Sequence, residues 1–127
     1  MIELMSIPRI TLDWTEWIGW EEIKLDARHE GGVIVPNRVS GVYEVRHEDD
    51  EERLSIGRAS DLRMRIKQGL VRGKVPHSTG DKIRSKEDIS RIVIRWAATN
   101  RPAAVEEELH RRHVEQFGRL PKHTKHT

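Results

Sequence analysis

Gly41-Val42-Tyr43-Glu44-Val45-Arg46-His47, Glu48-Asp49-Asp50-Glu51-Glu52 and Arg53-Leu54-Ser55-Ile56-Gly57 follow one another without a break and read as a β-hairpin. The first segment is aliphatic with one tyrosine, the last is a short run ending in glycine, and the acidic residues between them suit a solvated loop. Two antiparallel strands are expected there. Residues 91–98 hold Ile92, Val93, Ile94 and Trp96, a β-branched run whose bulk suits a largely buried third strand.

Past the hairpin the apolar period changes. Leu62, Ile66 and Leu70 fall at i, i+4 and i+8, with Ser60 available as N-cap and Asp61 in the first turn, which predicts a helix ending near Gly69 or Gly73. Pro102, Val105, Leu109, His113 and Phe117 predict another, with proline in its first turn and Gly118 and Pro121 terminating it. Residues 74–88 are polar and read as a loop. Upstream, Asp13 and Glu16 are spaced as a capping box ahead of a helix bearing Trp14, Trp17 and Trp20, and Gly31, Gly32 and Pro36 mark a connection. Indoles at that spacing more often cover a core than stack on bases. The expectation is an α+β domain over residues 40–124, a small three-stranded antiparallel sheet flanked by helices. A helical extension over residues 1–39 packs on it, and residues 125–127 form a tail. Such an architecture names no activity.

The 127 residues are 35% charged and 35% hydrophobic, with a mean hydropathy of −0.71. The apolar runs are far too short to cross a bilayer, so no membrane partner is expected. Absent cysteine excludes disulfide scaffolds, thiolate zinc sites and cysteine catalysis. Residues 1–5 show neither the basic start nor the apolar stretch of a secretory signal, so a cytoplasmic setting is expected. The net charge of +2 conceals opposed halves: residues 1–57 carry 6 Lys and Arg against 13 Asp and Glu, residues 58–127 carry 17 against 8. The basic half makes a polyanion a plausible partner, because neutralised phosphates release condensed counterions.

No Walker-type phosphate loop and no HExxH motif occurs. What remains is Gly41-Val42-Tyr43 opening the first strand, Ser55-Ile56-Gly57 closing the second, Arg65 eight residues past that glycine, and Glu106 on the last helix. This order and spacing resembles the GIY-YIG nuclease domain of the bacterial excision-repair endonuclease subunit, phage homing endonucleases and some restriction enzymes. Gly41-Val42-Tyr43 stands at the first signature and Ser55-Ile56-Gly57 at the second. Residues 58–65 look like the helix bearing the family's arginine, Glu106-Glu107-Glu108-Leu109 like the helix bearing its metal-binding glutamate, and Leu120-Pro121-Lys122-His123-Thr124 like the closing segment. Two positions depart from the pattern. Ser55 replaces the usual tyrosine of the second signature, and Thr124 stands where an asparagine is usual.

The resemblance implies DNA phosphodiester hydrolysis in repair, mobile-element or defence settings. Tyr43 would act as general base or orient the attacking water, Arg65 would bind the scissile phosphate, and Glu106 would anchor Mg2+ or Mn2+. His77, after the first helix, is a candidate substitute for a missing proton-handling group. Arg58, Arg63, Lys67, Lys74 and Arg84 would track the phosphate backbone. Each assignment has a structural rival: Tyr43 as a core ring, Arg65 as a surface ion pair, and Glu107 in place of Glu106. Glu106, His110 and His113 share one helix face and could instead hold a transition metal, though His113 sits on the apolar stripe. His123 and His126 read as flexible tail residues. Two other functions compete: a catalytically silent nucleic-acid-binding module on the same fold, and a protein-interaction module using the tryptophan-bearing N-terminus. A homodimer or an accessory recognition protein stays open.

Overall fold

The structure, a computed structural model, describes residues 11–25 and 34–124. Its elements run β1 (Ile18–Gly19), α1 (Trp20–Lys24), β2 (Gly41–His47), β3 (Ser55–Ala59), a π-helix (Arg63–Val71), α2 (Ser78–Lys86), a 3-10 turn (Ile89–Arg91), β4 (Ile92–Ala98) and α3 (Pro102–Phe117). The hairpin pairs antiparallel, with Tyr43 opposite Gly57 and Val45 opposite Ser55. On its other side β2 pairs antiparallel with β4, placing Tyr43 opposite Trp96. The fold is α+β with a four-stranded antiparallel sheet in the order β1-β4-β2-β3.

The fourth strand corrects the expected three. β1 spans two residues, too few for any hydrophobic period, and adds to the edge of β4 through Ile18 opposite Ile94 and Gly19 opposite Val93. The expected tryptophan-bearing helix is absent from the described residues 11–17, which run without regular structure. Thr15 donates its backbone N–H to Trp96 O at 3.0 Å, and its hydroxyl accepts from Trp96 N at 3.2 Å. An unpaired strand edge offers hydrogen bonds that outcompete a short isolated helix. Among the described residues before β2, only Trp20–Lys24 is helical. Gly31, Gly32 and His126 lie outside the described residues.

Alternation along the strands gives the sheet two apolar faces. Tyr43, Val45, Ile94 and Trp96 form the main core with Trp20 and Ile23 of α1, Ile66 and Leu70 of the π-helix, and Ile83 of α2. On the opposite face Val42, Ile56 and Ala97 meet Val105 and Leu109 of α3, with Leu12 and Trp14 packed against them. Each of the valines, leucines and isoleucines among them, taken fully out of water, contributes about 1.5–3 kcal/mol.

Three further local corrections matter for the site. The helix after β3 is wound with N–H bonds to the fifth residue back, as in Arg72 N to Lys67 O at 2.9 Å. The carboxylate that bonds its first turn is that of Asp61, accepting from Met64 N at 3.2 Å, rather than the Ser60 hydroxyl. Residues 74–88 contain α2 instead of a plain loop, and their only buried apolar helix residue, Ile83, leaves no stripe to read. The segment after α3 is also ordered: His123 is buried, donates its N–H to Leu54 O at 2.8 Å and meets Glu87 at 2.7 Å. Burial pushes the Glu87 carboxyl up, but hydrogen bonds and charge from Lys122 and His123 outweigh it and hold Glu87 below the usual range. No helix among the described residues is long and apolar enough to cross a membrane.

Candidate active site

β3 is one edge of the sheet, and Tyr43 reaches it because the residue opposite is glycine. A Cβ on Gly57 would fall on the Tyr43 hydroxyl and ring, so the phenol lies across the β3 backbone where any side chain would collide. Along that edge runs a cleft of ≈ 1010 Å³, walled by Met64 and Arg65 from the π-helix and by Pro102, Glu106 and His110 from α3. The two walls belong to opposite faces of the sheet. Tyr43 is the group that passes between them.

Tyr43 is only 2% exposed. Its burial pushes the phenol above its ordinary value of 10.0; Arg65 opposes this as a charge and as a hydrogen-bond donor to the oxygen, and the charge of Glu106 reinforces it. The phenol is therefore protonated at neutral pH. Arg65 itself is exposed at the mouth of the cleft. Behind Tyr43 sits His77, 3% exposed, with Nε2 at 3.1 Å from the hydroxyl oxygen and Nδ1 accepting from Gly80 N at 2.9 Å as the N-cap of α2. Burial, with the charges of Arg65 and Arg84, lowers its imidazole to about 4.

Tyr43, Arg65, Glu106 and Ser55 thus border one cleft, with His77 immediately behind. Ser55 is buried two residues before Gly57 on the same face as Tyr43. Thr124 also lines the cleft, and its hydroxyl is buried without a hydrogen-bond partner. The five basic residues expected to track phosphates divide. Arg58 lines the cleft and stands 3.8 Å from Glu106, a half-exposed pair of small worth. Lys74 is exposed but outside the cleft wall. The other three serve the fold: Arg63 donates to Val35 O at 3.1 Å, Arg84 donates to Gly69 O at 3.0 Å and Leu70 O at 2.6 Å, and Lys67 is 1% exposed. The π winding turns Lys67 inward beside Ile66, which an ordinary helical period does not foresee.

The cleft wall carries Arg58 and Arg65 against Asp61, Glu106 and Glu107. Two guanidinium groups against three carboxylates do not by themselves favour a phosphodiester, whereas one added divalent cation reverses the balance. That donor set fits Mg2+ or Mn2+, which bind through one or two carboxylates and otherwise through water and substrate oxygen. It does not fit an all-protein cage, since no trio of His, Asp or Glu able to hold a metal occurs among the described residues. His110 faces the Ile56 carbonyl at 3.1 Å, covering the open edge of β3. His113 is packed between Arg119 O at 2.7 Å and Arg53 N at 3.3 Å. The helix-face transition-metal alternative therefore has no ligand set.

The sequence offered Gly69 as a possible helix end, but it lies inside the π-helix, which runs on to Val71. A Cβ there would approach His77 Cδ2 to 3.0 Å, so this glycine makes the room in which the imidazole sits. Its one available signal was position, because glycine inside a helix costs about 0.5–1 kcal/mol relative to alanine and marks a close approach. No protein-family model matches the chain, no curated protein matches it, and no solved structure matches it.

Proposed function

We propose that the protein is a metal-dependent DNA endonuclease of GIY-YIG type, nicking a phosphodiester in the cleft along β3. The observation that carries the reading is convergence: Tyr43 from the sheet, Arg65 from the π-helix and Glu106 from α3 meet at one accessible cleft. Glu106 would hold Mg2+ or Mn2+, leaving its other positions to water and phosphate oxygen. A cation so bound supplies charge neutralisation and eases ionisation of a nearby water.

The chain's own groups then divide the work. Arg65 takes two non-bridging oxygens of the scissile phosphate through its planar fork, charged at any relevant pH. Tyr43, held protonated by burial, orients the attacking water in line instead of removing its proton as a free phenolate. As the phosphorus–oxygen bond to water forms and the bond to the leaving sugar oxygen breaks, the attacking water gives a proton to solvent and the leaving oxygen takes one from solvent, while Arg65 stabilises the charge gathering on the phosphorane.

The substitution of Ser55 for tyrosine favours a second reading, a catalytically silent DNA-binding module. The two differ in the role of the cation. A nuclease cuts an end-labelled DNA duplex in Mg2+ or Mn2+ and leaves it whole in EDTA. Uncut DNA in every metal, with salt-sensitive binding that persists in EDTA, selects the silent module. The acidic balance of the cleft wall supports the first reading, since such a wall attracts DNA poorly without a cation.

A further inference from the structure

The two ring nitrogens of His77 are committed in opposite directions. A backbone N–H can only donate, so Nδ1, which faces Gly80 N at 2.9 Å, is the acceptor and carries no proton. With the imidazole lowered to about 4, the ring is neutral at pH 7 and its single proton sits on Nε2. Nε2 lies 3.1 Å from the Tyr43 oxygen. The direction of that hydrogen bond is thereby fixed, from histidine to tyrosine.

We propose that His77 is a positioning residue: its Nε2–H donates to the Tyr43 oxygen and turns the phenol's own proton into the cleft, where the phosphate and the attacking water would lie. This rests on the nuclease reading of Tyr43 and assigns His77 no proton transfer, unlike the substitute role expected from sequence. A phenol oxygen has two lone pairs and one hydrogen. His77 occupies one lone pair, and the guanidinium of Arg65, which carries only N–H groups and a positive charge felt at the phenol, offers no acceptor, so the hydroxyl hydrogen points toward neither. The remaining direction is the cleft. The opposite tautomer would set two N–H groups face to face at Gly80 and make Tyr43 donate inward, away from the cleft.

The choice of residue fits this task. Ser, Thr, Asp or Asn would cap α2 at least as well, but none carries a second donor far enough out to meet Tyr43. Gly69 and Gly80 leave the space the ring and its capped helix turn need, against His77 Cδ2 and the Leu70 backbone respectively.

Two substitutions separate the cap from the donor. In His77→Asn the amide oxygen still accepts from Gly80 N but nothing reaches Tyr43. In His77→Gln an amide nitrogen takes the place of Nε2 while the cap is lost. His77→Asn should melt near the wild-type temperature and nick about 10²-fold more slowly, the order found when one aligned donor is removed from a reacting centre. His77→Gln should melt lower yet nick at least about tenfold faster than His77→Asn. Long-range ¹H–¹⁵N NMR of the wild-type chain should show His77 protonated at Nε2, bare at Nδ1 and still neutral at about pH 5. Tyr43→Phe should shift the Nε2–H resonance and spare Nδ1. A proton on Nδ1, or wild-type nicking by His77→Asn, overturns the proposal. If no form of the protein nicks DNA, the nuclease reading falls, and the NMR tautomer with its response to Tyr43→Phe still decides whether His77 orients the phenol.

Discussion

Tyr43 and Glu44 are neighbours on β2 and enter opposite faces of the sheet, where they meet opposite fates. Glu44 is buried and closed off: Arg53 Nε donates to it at 2.8 Å and Arg95 Nη2 at 2.7 Å, while Arg95 stacks 4.1 Å from the Trp14 ring centroid and Arg46 4.2 Å from that of Trp17. Each charge there is paired within the chain, Arg53 and Arg95 with Glu44 and Arg46 with Glu51 at 2.9 Å, although the buried Arg46 Nε is left without a hydrogen bond. Tyr43 is as deeply buried, yet its hydroxyl lies at the wall of a cleft with an exposed arginine and a carboxylate that has only a distant ion pair. A polar cluster whose members satisfy one another holds a structure together. One whose members converge on accessible space with bonding capacity left over is fitted to hold something else.

The contrast predicts which changes damage the fold and which the chemistry. Glu44→Ala strands two half-buried guanidinium groups and should cost about 3–5 kcal/mol in urea unfolding; a loss below about 1 kcal/mol would show the closed cluster to be ornamental. Arg65→Ala should lower nicking by about 10²–10³-fold, roughly 3–4 kcal/mol of barrier, at an unchanged melting temperature. A stability loss without a rate loss would move Arg65 to the structural side.

The open side also carries a pH dependence. His77 titrates at about 4 in the folded chain against 6.5 when unfolded, so the unfolded chain takes its proton first as pH falls. Its contribution is full above about pH 6.5, declines through the interval down to about pH 4 and is flat below. The total is at most about 3 kcal/mol, reduced by solvent near the cleft. Chemical denaturation across that interval reads the slope, and His77→Asn should remove it. Smaller still, Gly57→Ala should displace the Tyr43 ring at a cost of about 1–3 kcal/mol and depress nicking with it. Full nicking in Gly57→Ala would mean that the phenol need not cross β3.

The hairpin, β4 and α3 were legible because each has a period or turn chemistry confined to its own residues. The N-terminal strand was not: the edge of β4 captures residues 15–19 from far along the chain, overriding the capping-box spacing of Asp13 and Glu16. α2 escaped because its cap is a histidine and its apolar contribution is the single Ile83. Leu62, Ile66 and Leu70 marked the next helix correctly, but that spacing suits α and π winding alike, so the burial of Lys67 could not be read from it. In the site, Tyr43, Arg65 and Glu106 were singled out by the resemblance of their motifs to the GIY-YIG pattern, and the structure brings them to one cleft. Arg63 and Arg84 were singled out by charge type alone, which says nothing of the backbone carbonyls they bind.

The most direct test is nicking of supercoiled plasmid in Mg2+, Mn2+ or EDTA by the wild-type chain and by Glu106→Ala purified alongside it. Wild-type protein should convert supercoiled to open-circular DNA only with a divalent metal, and Glu106→Ala should lose more than about 10³-fold of that rate at an unchanged melting temperature. Metal-dependent nicking that survives in Glu106→Ala, or its absence from the wild-type chain in both metals, would contradict a catalytic cleft at the edge of β3.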